Sequence, residues 1–371
     1  MKKIVIAPDS FKGCLDAAAV ASAMEQGVHR ALPDAECMIV PLADGGEGTL
    51  EALLRTPGTR AETVATHDAF MRPNTSRIAK LPNGDFAVEL AEICGIEHHK
   101  HELNALNATS FGLGEAILAA HCKGAKHIVI ALGGSCSTDG GAGMLQALGA
   151  VFRDRDGRKI PDGVGGGALS QIAAIDESGL PDLKITVATD VTSPLTGSSG
   201  AAFVFSPQKG ASENEVKLLD ENLCRFAALS ADSGTTPGDG AAGGTAFALR
   251  RFLHGAIVSG GKMVVELAGL EKALKNADWL LTGEGRSDAQ TTAGKICFIA
   301  AQTARKNGIP TALLSGAVRN KAALEPFFAE IVSVSPPDIP LEDAIKNAEA
   351  YIEAAAASLF TRCADRPVTG A

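Results

Sequence analysis

Several familiar features are missing from this chain, and each absence removes a class of protein. Aromatic residues make up only 4% of it, with a single tryptophan, Trp279, and a single tyrosine, Tyr351. These two read as a core residue and a helix-surface residue. No apolar run approaches the ~20 residues needed to cross a bilayer, so no membrane segment is expected. The opening MKKIVIAPDSFKG has four apolar residues before Pro8 and Asp9, too few for a secretory h-region, and no export signal is expected. The eight cysteines are scattered without C-x-x-C pairs, which fits neither a zinc site nor a disulfide framework. A reducing cytoplasm suits them. Basic charge is also short. With 34 Lys+Arg against 43 Asp+Glu, a formal charge of −9 and a pI near 5.4, the chain lacks the basic face that nucleic acid requires. A local cluster of Lys and Arg still permits small anionic substrates.

Two phosphate-binding motifs fail as well. The stretch GEGRSDAQTTAGK, from Gly283 to Lys295, is glycine-rich, follows an apolar run and ends in Gly-Lys. A P-loop needs glycine at 289 and a hydroxyl residue at 296, where this chain has Ala289 and Ile296. The dinucleotide fingerprint needs a third glycine where Asp288 stands. What remains is a loop with four ionisable residues: Glu284, Arg286, Asp288 and Lys295.

Glycine is plentiful, at 41 of 371 residues or about 11% against a usual ~7%, which favours tight loops and close backbone approaches. The length suggests two domains. KKIVIA reads as a buried strand. A helix follows it, capped by Asp16, with Val20, Met24 and Val28 on one face and Pro33 at its end. ECMIVPL reads as a second strand and LEALLRT as a second helix. The same alternation returns in AKHIVIAL before GGSCSTDGGAG, KITVAT before DVTSPLTGSSG, and ADWLLT before the Gly283 stretch. Thr292 then caps a helix bearing Ile296, Ile299, Ala300 and Thr303, and PTALLSGA and EIVSV give two more strands. Alternating strands and helices predict an α/β protein with mainly parallel sheets. Both ends of the chain read as doubly wound, so the expected organisation is a discontinuous domain of residues 1–62 plus 284–371 around a middle domain, 63–283.

In open parallel sheets, ligands bind beyond the carboxyl ends of the strands. The ionisable residues concentrate there. APDSFKG supplies Asp9, Ser10 and Lys12; PLADGGEGT supplies Asp44 and Glu47 beside Gly45 and Gly46; GGSCSTDGGAG supplies Asp139; TDVTSP supplies Asp190. Glycines at helix entries let backbone N–H groups face an anion, with the helix dipole behind them, and phosphate is the natural ligand. Carboxylates repel phosphate, so they call for a bridging Mg²⁺ or a proton-accepting role. A lysine such as Lys12, Lys209 or Lys295 would offset phosphate charge or hold a substrate carboxylate. Helix capping by Asp44 or Glu47 and simple tight turns at the glycines are the competing readings. EHHKH, Glu97 to His101, reads as a solvated turn, RRFLH, Arg250 to His254, as a solvated helix end, and Cys136 has no neighbouring histidine to activate it.

Taken together, APDSFKG, PLADGGEGT, GGSCSTDGGAGMLQALGA, TDVTSPLTGSSGAAFVFSPQKGA, GDGAAGGTAFALRRFL and LLTGEGRSDAQTTAGK resemble, in order, the blocks of the bacterial glycerate kinases of the glycerate 2-kinase type. The resemblance runs from Met1 to about Val318, with a looser tail. The chain departs from the family at Thr189-Asp190-Val191, where Cys-Asp-Val is common, and at Cys136-Ser137-Thr138-Asp139, where Ala-Thr-Asn-Asp is common. Both departures keep the acid. The resemblance implies two α/β domains, one a flavodoxin-like doubly wound parallel sheet and one with a mixed sheet, with a cleft between them, and an enzyme that uses ATP and Mg²⁺ to phosphorylate D-glycerate, yielding 2-phosphoglycerate. On that reading the catalytic residues are Asp190, as the carboxylate nearest the reacting hydroxyl, Lys12 and Asp9. Glu284 and Asp288 handle Mg²⁺. Ser10, Asp44, Glu47, Asp139, Lys209, Arg286, Lys295, Gly45 and Gly46 bind substrate or phosphate. Phosphorylation at the 3-hydroxyl, a non-kinase hydroxy-acid enzyme and a ligand-binding regulator are the alternatives. A cytoplasmic monomer or homodimer is expected.

Overall fold

The structure is a computed structural model that describes residues 2–363. Its strands, in chain order, are β1 (Lys3–Ile6), β2 (Glu36–Ile39), β3 (Arg60–His67), β4 (Pro73–Lys80), β5 (Phe86–Glu89), β6 (Ile128–Ala131), β7 (Val151–Arg153), β8 (Ala174–Asp176), β9 (Ile185–Ala188), β10 (Ala256–Val258), β11 (Trp279–Ser287), β12 (Thr311–Val318) and β13 (Glu330–Ser333). The chain divides into two compact units. The first comprises Met1–Asp44, Glu51–Thr56 and Gly261–Ala371, and the second Gly45–Leu50 and Pro57–Gly260.

The first unit is built on a five-stranded parallel sheet in the order β2-β1-β11-β12-β13. This is the flavodoxin-like doubly wound order, whose switch point falls between β1 and β11, where the connections leave in opposite directions and a crevice opens at the carboxyl ends. The helix Ala17–Ala31 begins as the sequence predicts: Asp16 accepts a hydrogen bond from the Ala19 N–H at 2.7 Å. Val20, Met24 and Val28, spaced by four, are fully buried against Ile4, Ile6, Leu281 and Leu359. Each such side chain contributes about 1.5–3 kcal/mol through its burial. Gly27 lets this helix touch the helix Ala348–Cys363, because a Cβ there would lie 2.3 Å from the Glu353 carbonyl oxygen.

The second unit carries a mixed sheet in the order β10-β9-β6-β5-β4-β3, antiparallel at β3-β4-β5 and parallel from β5 to β10, with a small β7-β8 hairpin beside it. The scarce aromatics gather in its core. Phe226 meets Phe152 edge-on at 6.0 Å and Phe247 at 6.2 Å.

Three local expectations change. β11 does not stop at Thr282: it continues through GEGRS, with Glu284 opposite Ser315 and Arg286 opposite Ala317 on β12. The two glycines alternate along an extended strand, where their lack of a side chain suits close neighbours: a Cβ on Gly283 would fall 2.3 Å from the Leu314 carbonyl oxygen. Thr292 does not cap the next helix. It lies in a 3-10 turn, Ala289–Ala293, and the helix Ile296–Lys306 starts after Lys295. The return into the first unit comes at Gly261 rather than at 284, because β11 is the strand that joins β1 to β12.

Candidate active site

At the switch point of the first unit, backbone bonds draw the loop after β1 along β11. Ala7 N–H donates to Leu281 O and Asp9 N–H to Gly283 O, both at 2.8 Å, and the Thr282 hydroxyl donates to Ala7 O at 2.7 Å. These bonds bring Asp9 and Glu284 to one place. A cavity of about 940 Å³ opens there, lined by Asp9, Ser10, Lys12, Asp44, Glu284, Arg286 and Lys295 and, on its apolar side, by residues such as Val318, Val334, Pro337, Ile339 and Ile345. Seven ionisable or polar residues singled out in sequence therefore share one cavity wall.

Their electrostatics are unequal. Asp9 Oδ1 accepts from the Ser10 N–H at 2.7 Å, whereas nothing among the described residues donates to Oδ2. Burial, then the nearby Asp44, push the Asp9 carboxyl up to about 7, against the opposing pull of Lys12. Lys12 pairs with Asp44 at 2.8 Å, but the lysine side chain is 73% exposed, so the pair is worth little to stability. Glu284 is only 5% exposed and fully engaged: Oε1 accepts the Ser287 and Thr291 hydroxyls at 2.8 and 2.7 Å, and Oε2 accepts Lys295 Nζ at 2.9 Å. Lys295 also donates to the Arg286 carbonyl at 3.0 Å. Asp288 caps the 3-10 turn through the Gln290 N–H and pairs with Arg286 at 3.3 Å.

The second unit holds the other candidates. Asp190, exposed at the end of β9, accepts the Ser259 hydroxyl at 2.8 Å and the Gly260 N–H at 3.1 Å. Glu47 is also exposed, and Gly45 and Gly46 beside it are buried backbone contacts. Gly45 has φ +84°, and a Cβ on it would lie 2.4 Å from Gly260 Cα; one on Gly133 would lie 2.6 Å from Gly46 Cα. Larger residues would push this loop off both neighbours. The loop's backbone donors go to Glu89, at the end of β5, which accepts Gly48 N–H at 3.1 Å and Leu50 N–H at 2.7 Å. Burial pushes the Glu89 carboxyl up to about 7. Glu89 was passed over in sequence, although an acid closing the apolar strand FAVE carried the same signal as Asp190 after ITVA.

Asp139 and Lys209 are enclosed. Asp139 has no exposed surface and accepts four hydrogen bonds, from Ser110 N–H at 2.8 Å, Ser110 Oγ at 2.7 Å, Gly141 N–H at 3.1 Å and Gly143 N–H at 3.2 Å. Ser110, placed to cap the helix Phe111–Cys122, turns its hydroxyl to Asp139 instead. Lys209 donates to the Ser137 carbonyl, and burial pulls its amine down to about 8. Elsewhere, His99 of the EHHKH turn is buried against Arg72 and Glu102. Arg250 is no solvated helix end: it binds Asp239 and Asp232.

Comparison with known proteins gives one answer. A family model described as the glycerate kinase family matches residues 4–364. The chain is 40% identical over 365 residues to a glycerate kinase of Bacillus subtilis (strain 168), covering 95% of each chain. It is 40% identical over 362 residues to the glycerate 2-kinase of Escherichia coli (strain K12), covering 93% of this chain and 94% of that one. A crystal structure assigned to a glycerate kinase 2 from Salmonella typhimurium LT2 superposes with a TM-score of 0.84 at 38% identity, covering 98% of both chains.

Proposed function

The chain belongs to the glycerate kinase family, as a kinase that phosphorylates glycerate, and from that premise we propose that it transfers the terminal phosphoryl group of ATP to D-glycerate with Mg²⁺, giving 2-phosphoglycerate. The observation that carries this reading is the switch-point cavity, where Asp9, Asp44 and Glu284 meet Lys12, Arg286 and Lys295. Phosphoryl transfer asks a protein for position and charge stabilisation rather than covalent chemistry. Lys12, Arg286 and Lys295 are the cations that would offset charge on phosphate oxygens or hold a glycerate carboxylate.

The residues present fit Mg²⁺, a hard cation that takes one or two carboxylates and completes its shell with water and phosphate. Asp9 offers an oxygen that accepts nothing among the described residues, and its carboxyl is raised by burial and then by the negative charge of Asp44 and Glu284, a repulsion that a divalent ion relieves. Asp9 with Asp44 would hold the ion, which when bound would neutralise charge on the phosphates. Glu284 and Asp288, both engaged by the loop itself, act behind them by holding Lys295 and Arg286 in place.

In the second unit we assign the proton of the attacking hydroxyl to Asp190, whose Oδ1 is oriented by Ser259 and Gly260. Glu47 and the glycines at 45 and 46 shape the loop before the helix Thr49–Leu54, and Asp139 and Lys209 act through the loop they brace rather than by touching substrate. Asp190→Asn should lower kcat by roughly 10²-fold or more with an unchanged melting temperature. Turnover within a few-fold of wild type removes Asp190 from the mechanism. Protein, Mg-ATP and D-glycerate should release ADP in a coupled assay, and enolase added alone should consume the product directly. ADP release without an enolase signal would assign the 3-hydroxyl instead.

A further inference from the structure

Away from that cavity, the first unit brings together three side chains of the kinds that bind transition metals. Glu25 and His29 stand four residues apart on one face of the helix Ala17–Ala31, and Cys37 lies on β2, the edge strand of the parallel sheet, opposite Ile4 of β1. One ligating atom from each lies within 4.8 Å of the other two, and all three residues are half-buried. None of the three side chains has a hydrogen-bond or ion-pair partner among the described residues. Carboxylate, imidazole and thiol atoms that converge in this way make up the donor set a transition metal takes.

The helix runs back along the sheet after β1, so His29, in its last turn, lies toward the amino ends of the strands, whereas the acids of the candidate active site follow their carboxyl ends. The cluster is therefore a second location on the same unit. We propose that Glu25, His29 and Cys37 bind one thiophilic divalent cation, Zn²⁺, with a fourth position left to water. Thiolate, imidazole and carboxylate together select zinc over the hard cations that phosphates prefer, and three protein ligands are enough when the fourth position is open. On binding, the Cys37 thiol gives up its proton to solvent and the sulfur takes the metal. The ion ties the last turns of the helix to the edge strand that follows it in the chain. Sequence spacing could not reveal it, since the ligands come from two elements and include no C-x-x-C pair.

The test uses the full chain, purified free of metal and titrated with Zn²⁺ by calorimetry and with Co²⁺ by absorption. One equivalent should bind with a sulfur-to-cobalt charge-transfer band, and Zn²⁺ should raise the melting temperature. Cys37→Ser should abolish the band, and His29→Ala and Glu25→Gln should each weaken Zn²⁺ binding by roughly tenfold or more, while glycerate phosphorylation stays at the wild-type level as the check that each variant is folded. The proposal is overturned by a wild-type protein that gives no thiolate band, or by binding that survives Cys37→Ser, which would assign the metal to other cysteines such as the exposed Cys122 and Cys224.

Discussion

Asp9 and Asp139 occupy equivalent places in two sheets: each is an acid in a polar loop that follows a buried β-branched strand. Their surroundings differ in every other respect. Asp139 is fully enclosed, with four donors on its two oxygens, while Asp9 has one backbone donor and a hydroxyl on the same oxygen and faces a cavity of about 940 Å³. A carboxylate whose lone pairs are filled by its own protein has finished its work in holding a loop. One left partly unfilled beside like charges keeps its capacity for a ligand. The pattern of an acid after a strand finds both, and only the count of donors separates them.

The comparison breaks most visibly at Asp139. Asp139→Ala removes the acceptor for three buried N–H groups and one hydroxyl; at about 1–3 kcal/mol for each stranded donor, it should cost several kcal/mol and leave the second unit unfolded or nearly so. Loss of far-ultraviolet circular dichroism and of soluble expression would register this, and a variant with wild-type urea unfolding would show that the enclosed acid is not structural. Asp9→Asn should do the reverse. Turnover should fall roughly 10²-fold or more while the unfolding midpoint holds, and a collapse in stability at unchanged kcat would place Asp9 with Asp139.

Glu89 is the intermediate case: buried like Asp139, with only two donors, and pushed by that burial from the ordinary 4.5 up to about 7. A raised carboxyl contributes stability that is fully present below about 4.5 and lost as pH climbs through about 7. Glu89→Gln cannot titrate, so stability should vary less between those values in the variant than in the wild type. Equal slopes in denaturant unfolding across that window would show that Glu89 does not titrate there. The effect is the smallest of the three, because it is a change of slope.

The sequence was most readable where one physical signal acted alone. Asp16, Val20, Met24 and Val28 define the first helix by cap and spacing, and the structure keeps all four. It was less readable where tertiary pairing overrode a local preference. GEGRS looks like a loop because glycines are poor strand formers, yet β12 supplies partners along its length. Arg250 looks like solvent-facing charge until Asp232 and Asp239 arrive from a preceding loop. The loops that carry the candidate site were legible as a set, since acids and lysines recur after strands. Which of those acids would be enclosed was not, because the donors to Asp139 come in part from Ser110, well upstream.

The order of strands also sets a timetable for synthesis. β1 lies between β2 and β11, yet β11 begins only at Trp279, after the whole second unit has been made. At roughly 5–20 residues per second the wait lasts tens of seconds, during which KIVI has one edge without a neighbour. The inserted unit, whose strands all lie within residues 60–258, has no such delay. A ribosome-bound chain halted before Trp279 should therefore protect the mixed sheet from protease while the first four-residue strand stays open, a vulnerable stage for a protein whose proposed catalytic cavity depends on that late partner.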